Sequence, residues 1–451
     1  MKVWNSQSLT YLAQNLHSWG VPTKLEGSIM PIRKILLCGS ILAALGTTSA
    51  HATAIGTVFY IALENHNFTQ PSTATSPQQL KGNAAAPYLN SLITPGHPNA
   101  AMVSYASNYT NVPIQTAGSP SGAGAVHPSE PNYVWSEAGL TGARNDADPY
   151  GAGINNNTAA QPSTNPTNNI VNAPSLSAQL QQSGKTWASY QEDTQLATVG
   201  GKLTNTVLPK DQQTVPLSSF SGTSSTYTNA YNGSNQYNYA AKHNPELFFT
   251  ATNGGNDTSP SNPEASHYAP LEQLTTDLAN NTVSQYNWIS PDQYNDMHST
   301  LSGGFTDPRT GIHYTGDSSQ IAAGDYFLSV LVPQIKASAA FQNNGEIVIW
   351  NDETEGEGAS TAGYTSTEIV ISPLAKGNAY TNTINYDHSS DLLTNEEIFG
   401  LPCLAAACSA TDLSDLFVAG AIPAASVPEP ATFAVLSSGL IGLTMLRRRR
   451  R

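Results

Sequence analysis

Two apolar runs constrain this chain more than any other feature: "GTVFYIALEN", beginning at Gly56, and "GEIVIWNDETEGEG", beginning at Gly345. Both are short and rich in β-branched and aromatic residues, the composition of a buried strand. Both stop at oxygen-bearing side chains, Glu64 and Asn65 in the first, Asp352 and Glu353 in the second. Between them, "PSLSAQLQQSGKTWASYQED" offers a serine N-cap and helical spacing, followed by a short strand at Trp187 to Tyr190. "HNPELFFTA" and "QYNWISP" read as strands or strand edges, and "DYFLSVLVPQIKASAAF" as a helix interrupted or ended near Pro333. Strands alternating with helices predict an α/β fold, a central and largely parallel sheet flanked by helices. Residues 145–172 and 218–239 carry neither period and are expected to be polar surface insertions, loops or a small cap.

The chain of 451 residues is long enough for one large domain or two ordinary ones. Its hydrophobic content of 39% supports a core, but charged residues make up only 11%, against ~25% in typical soluble domains. Asn, Ser, Thr, Gly and Ala fill the difference, as in many exported proteins. The net charge is −14, and no basic tract lies between the two ends, which argues against a nucleic-acid partner. The acidity reads as solubility.

The ends carry addresses. "MPIRKILLCGSILAALGTTSAHATA", from Met30, has a basic start (Arg33, Lys34), an apolar centre and small residues at Ala50, Ala52 and Ala54, the layout of a cleavable secretory signal. "VPEPATFAVLSSGLIGLTMLRRRRR" places Pro428-Glu-Pro430 before an apolar run from Ala431 to Leu446 and then arginines at 447–451. That run is shorter than the ~20 residues of a full span, and the arginines would hold its end on the cytoplasmic side. The arrangement resembles the PEP-CTERM sorting signal of Gram-negative bacteria. The resemblance implies export to the periplasm, cell surface or exterior, transient anchoring in the inner membrane, and removal of the tail by an exosortase-type partner. The expected division is 1–29, an over-called extension; 30–54, the signal; 55–426, the main domain; and 427–451, the sorting segment and the one contact with a membrane. Cys38 falls inside the signal, leaving Cys403 and Cys408. An exported context favours a disulfide across this short loop over metal binding.

In open α/β sheets, ligands bind beyond the carboxyl ends of strands. Glu64-Asn65 and Asp352-Glu353 are two hard-ligand pairs at strand ends and can hold one divalent cation if the strands are neighbours. Taken alone, either pair is more often a turn or a helix cap. In "AVHPSEPNYVWSEAGLTG", Ser129 lies just before Pro131, where a helix can begin. A hydroxyl there is well placed to attack phosphorus, because free helix N–H groups bind phosphoryl oxygens. A plain N-cap serine is the competing reading. His243 precedes Asn244-Pro245, His298 follows Asp296, and His388 precedes a helical stretch. Imidazoles bind phosphate, ligate metal or protonate a leaving group.

Seven segments bind these residues into one pattern: "ENHNF", "HPSEPNY", "KHNPELFF", "SPDQYNDMHS", "AAGDYFLSVLVPQI", "IVIWNDETEGEG" and "DHSSDLLTNEEIFGLP". In this order they resemble the phosphoesterase family of bacterial and fungal acid phosphatases and phospholipases C, in the alkaline-phosphatase-like superfamily. The resemblance runs from about Gly56 to Phe417, and "SEPNY" is also similar to the nucleophile turn of nucleotide pyrophosphatases. It implies an alkaline-phosphatase-like fold and a phosphoester substrate. Ser129 becomes the nucleophile, and Glu64, Asn65, Asp352, Glu353 and Ser129 the ligands of a divalent metal ion. His243 and His298 become contacts to phosphate or to the leaving oxygen, with Asp296 as orienter or further ligand and His388 as a less certain member. The chain departs from the family pattern at Asp387-His388-Ser389-Ser390, where a Thr-His-Tyr-Ser run is usual, and at Asn351, an inserted residue that could shift which of the acids binds metal. The expected activity is phosphomonoester hydrolysis. A phospholipase C-type phosphodiesterase and a non-catalytic surface or matrix protein are the alternatives.

Overall fold

The computed structural model describes residues 54–112, 127–141, 146–149, 157–158, 170–356 and 362–423. The expected extension, most of the signal, most of the 145–172 insertion and the sorting segment lie outside the described residues. Eight strands form one sheet: β1 (Thr57–Leu63), β2 (Val103–Ala106), β3 (Trp187–Gln191), β4 (Tyr268–Pro270), β5 (Tyr286–Ser290), β6 (Gly345–Asn351), β7 (Glu368–Ile371) and β8 (Tyr380–Asn382). Their spatial order is β4-β3-β5-β1-β6-β7-β2-β8. Every neighbouring pair is parallel except the two made by β7, which runs against β6 and β2. The expected mostly parallel α/β sheet is therefore present.

The apolar runs are central strands because they serve two cores at once. Along β1, Phe59, Ile61 and Leu63 enter one core, while Val58, Tyr60 and Ala62 enter the other. The first core is closed by α1 (Pro87–Leu92), α4 (Leu271–Asn280) and α5 (Asp317–Ala337), and the second by α2 (Ser129–Ala138), α3 (Leu176–Gln182) and α6 (His388–Phe399). Register sets the rest. Leu63 pairs with Asn351, so β1 and β6 end at one level and release Glu64-Asn65 and Asp352-Glu353 side by side. Neighbouring β5 leads into the loop carrying Asp296 and His298.

Local expectations fare unevenly. Ser175 caps α3 as its type suggests, its hydroxyl accepting from Ala178 N at 3.3 Å. "HNPELFFTA" is not a strand. It forms 3-10 turns at Ala241–His243 and Pro245–Phe248 and a short helix at Thr250–Asn253. Pro245 opens the second turn with its fixed φ, and Leu247, Phe248 and Phe249 fill cores without joining the sheet. Helix α5 runs through Pro333 to Ala337, because Pro333 faces outward and Val332 and Ile335 beside it stay buried. The 218–239 stretch holds a hairpin, Phe220–Thr223 with Gln236–Tyr239, hidden in the sequence by its polar composition. Its tip is no free loop: Tyr227 reaches Asp193, and Asn229 donates to Glu192 Oε1 at 2.8 Å. Cys403 and Cys408 form a disulfide with Cα atoms 5.1 Å apart.

Candidate active site

Glu64 and Asn65 leave β1, Asp352 and Glu353 leave β6, and Ser129 is the first residue of α2, whose axis points its amino end at this edge of the sheet. The helix begins two residues earlier than Pro131 suggests, capped by Pro128 with no side-chain bond. The Ser129 hydroxyl lies 3.0 Å from Glu64 Oε2 and 3.0 Å from Glu353 Oε1, with one proton to donate between them. One turn along α2, Asn132 Nδ2 donates to the other oxygen of Glu353 at 3.0 Å. His243 stands between two acids, its Nε2 3.2 Å from Glu64 Oε1 and its Nδ1 3.4 Å from Asp296 Oδ2. Neither approach has the alignment of a hydrogen bond. Tyr133 stacks on the His243 ring at 4.9 Å and 8° and sits edge-on to Trp350, which holds the imidazole from below. Asp296 Oδ1 accepts from the backbone N–H of His298 at 2.7 Å, so one carboxyl touches both histidines.

Burial governs the charges. It raises the carboxyls of Glu64, Asp352 and Asp296 well above their usual range, with neighbouring acids adding to the effect. Glu353 is pushed up to about 8, again chiefly by burial, although His127 pulls against it. Burial also depresses the histidines: His243 falls well below its ordinary value and His298 to about 4, with Lys242 contributing in both. Such a cluster must hold protons or a cation, because several ionised carboxylates in one dry pocket repel strongly.

The donor set fits a cation. Glu64, Asp352 and Glu353 each offer an oxygen within 4.8 Å of the others. Glu64 Oε1 and Asp352 Oδ2 are buried and have no hydrogen-bond partner among the described residues. The Asn65 carboxamide has two orientations. With nitrogen inward it donates to Glu64 Oε2 (3.0 Å) and Glu353 Oε1 (3.3 Å), and its oxygen accepts from His298 Nε2 (3.2 Å). With oxygen inward it joins a set of acceptors that only a cation satisfies.

The structure thus gathers Glu64, Asn65, Ser129, His243, Asp296, His298, Asp352 and Glu353. His388 stands behind them. Its Nε2 donates to the main-chain oxygen of Asp352 at 2.6 Å, and its Nδ1 accepts from Trp350 Nε1 at 3.0 Å. Tyr109, 2.7 Å from Nδ1, hydrogen-bonds Asp391. The contact is with the backbone of the acidic turn, so His388 supports the turn. Asp296 is buried, with its carboxyl against the His243 ring. Sequence reasoning missed His127, whose Nδ1 is 2.9 Å from Glu353 Oε1, and Asn132 and Tyr133, although all lie inside the "HPSEPNY" segment. Lys242, beside His243, was missed as well. Nothing local marks Tyr109 or Asp391.

The phosphoesterase family model matches residues 121–402, and the PEP-CTERM protein-sorting motif matches residues 426–451. No curated protein matches the chain. Among solved structures, the chain is similar to the PsFucS1 sulfatase of Pseudoalteromonas sp., with 11% identity, a TM-score of 0.44, and 83% of this chain and 74% of that one covered. It is also similar to the lipoteichoic acid synthase LtaP of Listeria monocytogenes, at 9% identity and TM-score 0.39, over 78% and 74% of the two chains. A protein in the alkaline phosphatase superfamily from Vibrio parahaemolyticus is similar at 11% identity and TM-score 0.38, over 78% and 68%. With the family model spanning more than half of its length, the chain belongs to the phosphoesterase family, hydrolases of phosphoric ester bonds.

Proposed function

We propose that the protein is a metal-dependent phosphomonoesterase, acid-phosphatase-like, working through a phosphoseryl intermediate at Ser129. The observation that carries this reading is the Ser129 hydroxyl, at the head of α2, within 3.0 Å of both Glu64 and Glu353. A divalent cation held by Glu64, Asn65, Asp352, Glu353 and Ser129 would supply positive charge against the phosphoryl oxygens and favour the ionised hydroxyl. The residues of the chain do the rest. Ser129 Oγ attacks phosphorus, the bond from phosphorus to the ester oxygen breaks, and the hydroxyl proton passes to the Glu64 or Glu353 carboxylate. The leaving oxygen takes its proton from solvent water, and His298, which burial keeps neutral, orients that oxygen rather than protonating it. Water then attacks the phosphoserine, restoring the hydroxyl and releasing phosphate. His243, wedged between Glu64 and Asp296, keeps Glu64 aimed at Ser129.

Assays with p-nitrophenyl phosphate and bis(p-nitrophenyl) phosphate, with and without chelator, test the reading. The monoester is expected to be the better substrate, and chelation to abolish turnover. Preference for the diester would instead favour the phospholipase C-type reading, and no turnover of either would favour a non-catalytic surface protein. The sorting motif indicates export. We further propose transient anchoring in the inner membrane before an exosortase-type enzyme removes the tail, which leaves the domain in the periplasm, at the cell surface or outside.

A further inference from the structure

The acids at this sheet edge raise a question of charge. A phosphomonoester arrives as a dianion, yet Glu64, Asp352, Glu353 and Asp296 crowd the place it must enter. One divalent cation does not outweigh four carboxyls, so the phosphoryl group needs another positive partner. Lys242 is placed to be one. It immediately precedes His243 on the turn that positions that imidazole, and its side chain is only 15% exposed. Its charge acts on Glu64, Glu353, Asp296, His243 and His298 together. Its ammonium is already engaged by an anion: Nζ is 2.6 Å from Asp146 Oδ2. The other oxygen of Asp146 faces the backbone N–H of Glu130, at 3.5 Å, in the first turn of α2 beside Ser129. A carboxylate therefore bridges a lysine and a helix amino end next to the Ser129 hydroxyl, which is how a phosphoryl oxygen would be held. Asp146 is 38% exposed, so its ion pair with Lys242 is open to exchange with another anion.

We propose that Lys242 anchors the phosphoryl group of the substrate beside Ser129, and that Asp146 is an internal counter-ion which the phosphoryl group displaces. The inference rests on the phosphoesterase reading of Ser129. It assigns Lys242 a part in selecting dianionic monoesters over monoanionic diesters, because the diester brings one charge fewer to the ammonium.

Inorganic phosphate is the probe. Its binding to the metal-loaded protein is titrated calorimetrically for wild type, Lys242→Gln, Lys242→Arg and Asp146→Asn, with metal content and thermal unfolding recorded for each. Lys242→Gln is expected to weaken phosphate binding by about 10- to 100-fold, the size of one lost charge-assisted contact. Lys242→Arg should recover part of the loss. Asp146→Asn should tighten binding by about 2- to 5-fold, as removal of a partly exposed competitor would, and a misfolded variant does not produce a gain. On turnover, Lys242→Gln should raise KM for the monoester more than for the diester. Equal phosphate affinity in wild type and Lys242→Gln overturns the proposal, as does absence of phosphate binding in the wild type or weaker binding in Asp146→Asn. Phosphate binding that depends on Lys242 in a protein hydrolysing neither ester would uphold the anchor and sink the enzymatic reading, so the two failures are distinguishable.

Discussion

The buried oxygens at the ends of β1 and β6 are satisfied by protons or by a cation, and single substitutions tell these apart. Asp352→Asn and Glu64→Gln each remove one negative charge from the shared cluster while keeping its shape. Metal content by elemental analysis and turnover should fall together in both variants, and full occupancy in both would contradict a common site. If only Glu353→Gln has an effect, Asn351 has shifted which acid acts. Ser129→Ala removes the proposed nucleophilic oxygen and one proton donor, and should abolish hydrolysis of p-nitrophenyl phosphate while the fold, followed by circular dichroism, persists. His388 has a different role. Burial holds its imidazole down to about 3, so it stays neutral and donates to the Asp352 carbonyl. His388→Ala leaves that carbonyl short of a partner and opens a cavity, while Trp350 Nε1 keeps the Tyr109 hydroxyl at 3.0 Å. It should cost about 2–4 kcal/mol in urea unfolding.

Among the elements, α2 is the one whose placement the chemistry needs, since it carries Ser129, Asn132 and Tyr133 on one short stretch. Its carboxyl end is fixed by Gly139, which adopts φ 63° and passes so close to the loop after α6 that an added Cβ would lie 2.9 Å from Leu404 O. The left-handed conformation alone disfavours other residues, so Gly139→Ala should destabilise by about 1–2 kcal/mol. It should also shift the helix that aims Ser129. A fall in kcat with little change in stability would mean that the loop yields and the helix moves. The strands are stiffer: β1 lies between two parallel neighbours, and its residues are buried on both faces.

For the whole molecule, ionisation and stability are linked. In the metal-free fold Glu353 keeps its proton up to about 8, and Glu64 and Asp352 shift in the same direction. Each has a folded pKa above its unfolded one, so its contribution is complete at low pH and is lost as pH rises through the folded value. Between about pH 7 and pH 9 the depressed histidines are neutral in both states and do not oppose this. The Tm of chelated protein should therefore fall across that range, and added divalent cation should restore more of it at the alkaline end, where fewer protons compete. A flat Tm would mean that the carboxyls are already ionised. The ends of the described domain also meet: Ile55 N donates to Ala421 O at 2.9 Å, before β1 begins. The site lies beyond the other end of β1, about 23 Å away for seven residues at ~3.3 Å each. A chain ending at residue 423 should thus hydrolyse soluble ester with unchanged kcat/KM. Intact mass of the native protein should show a start near Ala52 to Ile55 and no arginine tail, and a mass that includes the tail would mean an anchored protein.

The sequence by itself determined the strands and the acids that end them. An apolar run of β-branched and aromatic residues has no stable home except between two cores, so β1 and β6 were legible, and with them an α/β sheet. The segments around Glu64, Ser129, His243, Asp296, His298 and Asp352 were ambiguous one by one and became legible as chemistry only through their resemblance, in order, to the phosphoesterase family. Tertiary structure alone decided which of these meet and how. The Leu63–Asn351 register brings the two acid pairs level. The packing of Tyr133 against His243 turns an imidazole toward Glu64, and long-range contacts put Asp146 on Lys242 and His388 behind Asp352. Those choices depend on contacts between residues far apart in the chain. Hydrophobic pattern and turn chemistry report only on the few residues around each position, which is also why "HNPELFF" looked like a strand and Pro333 like the end of a helix.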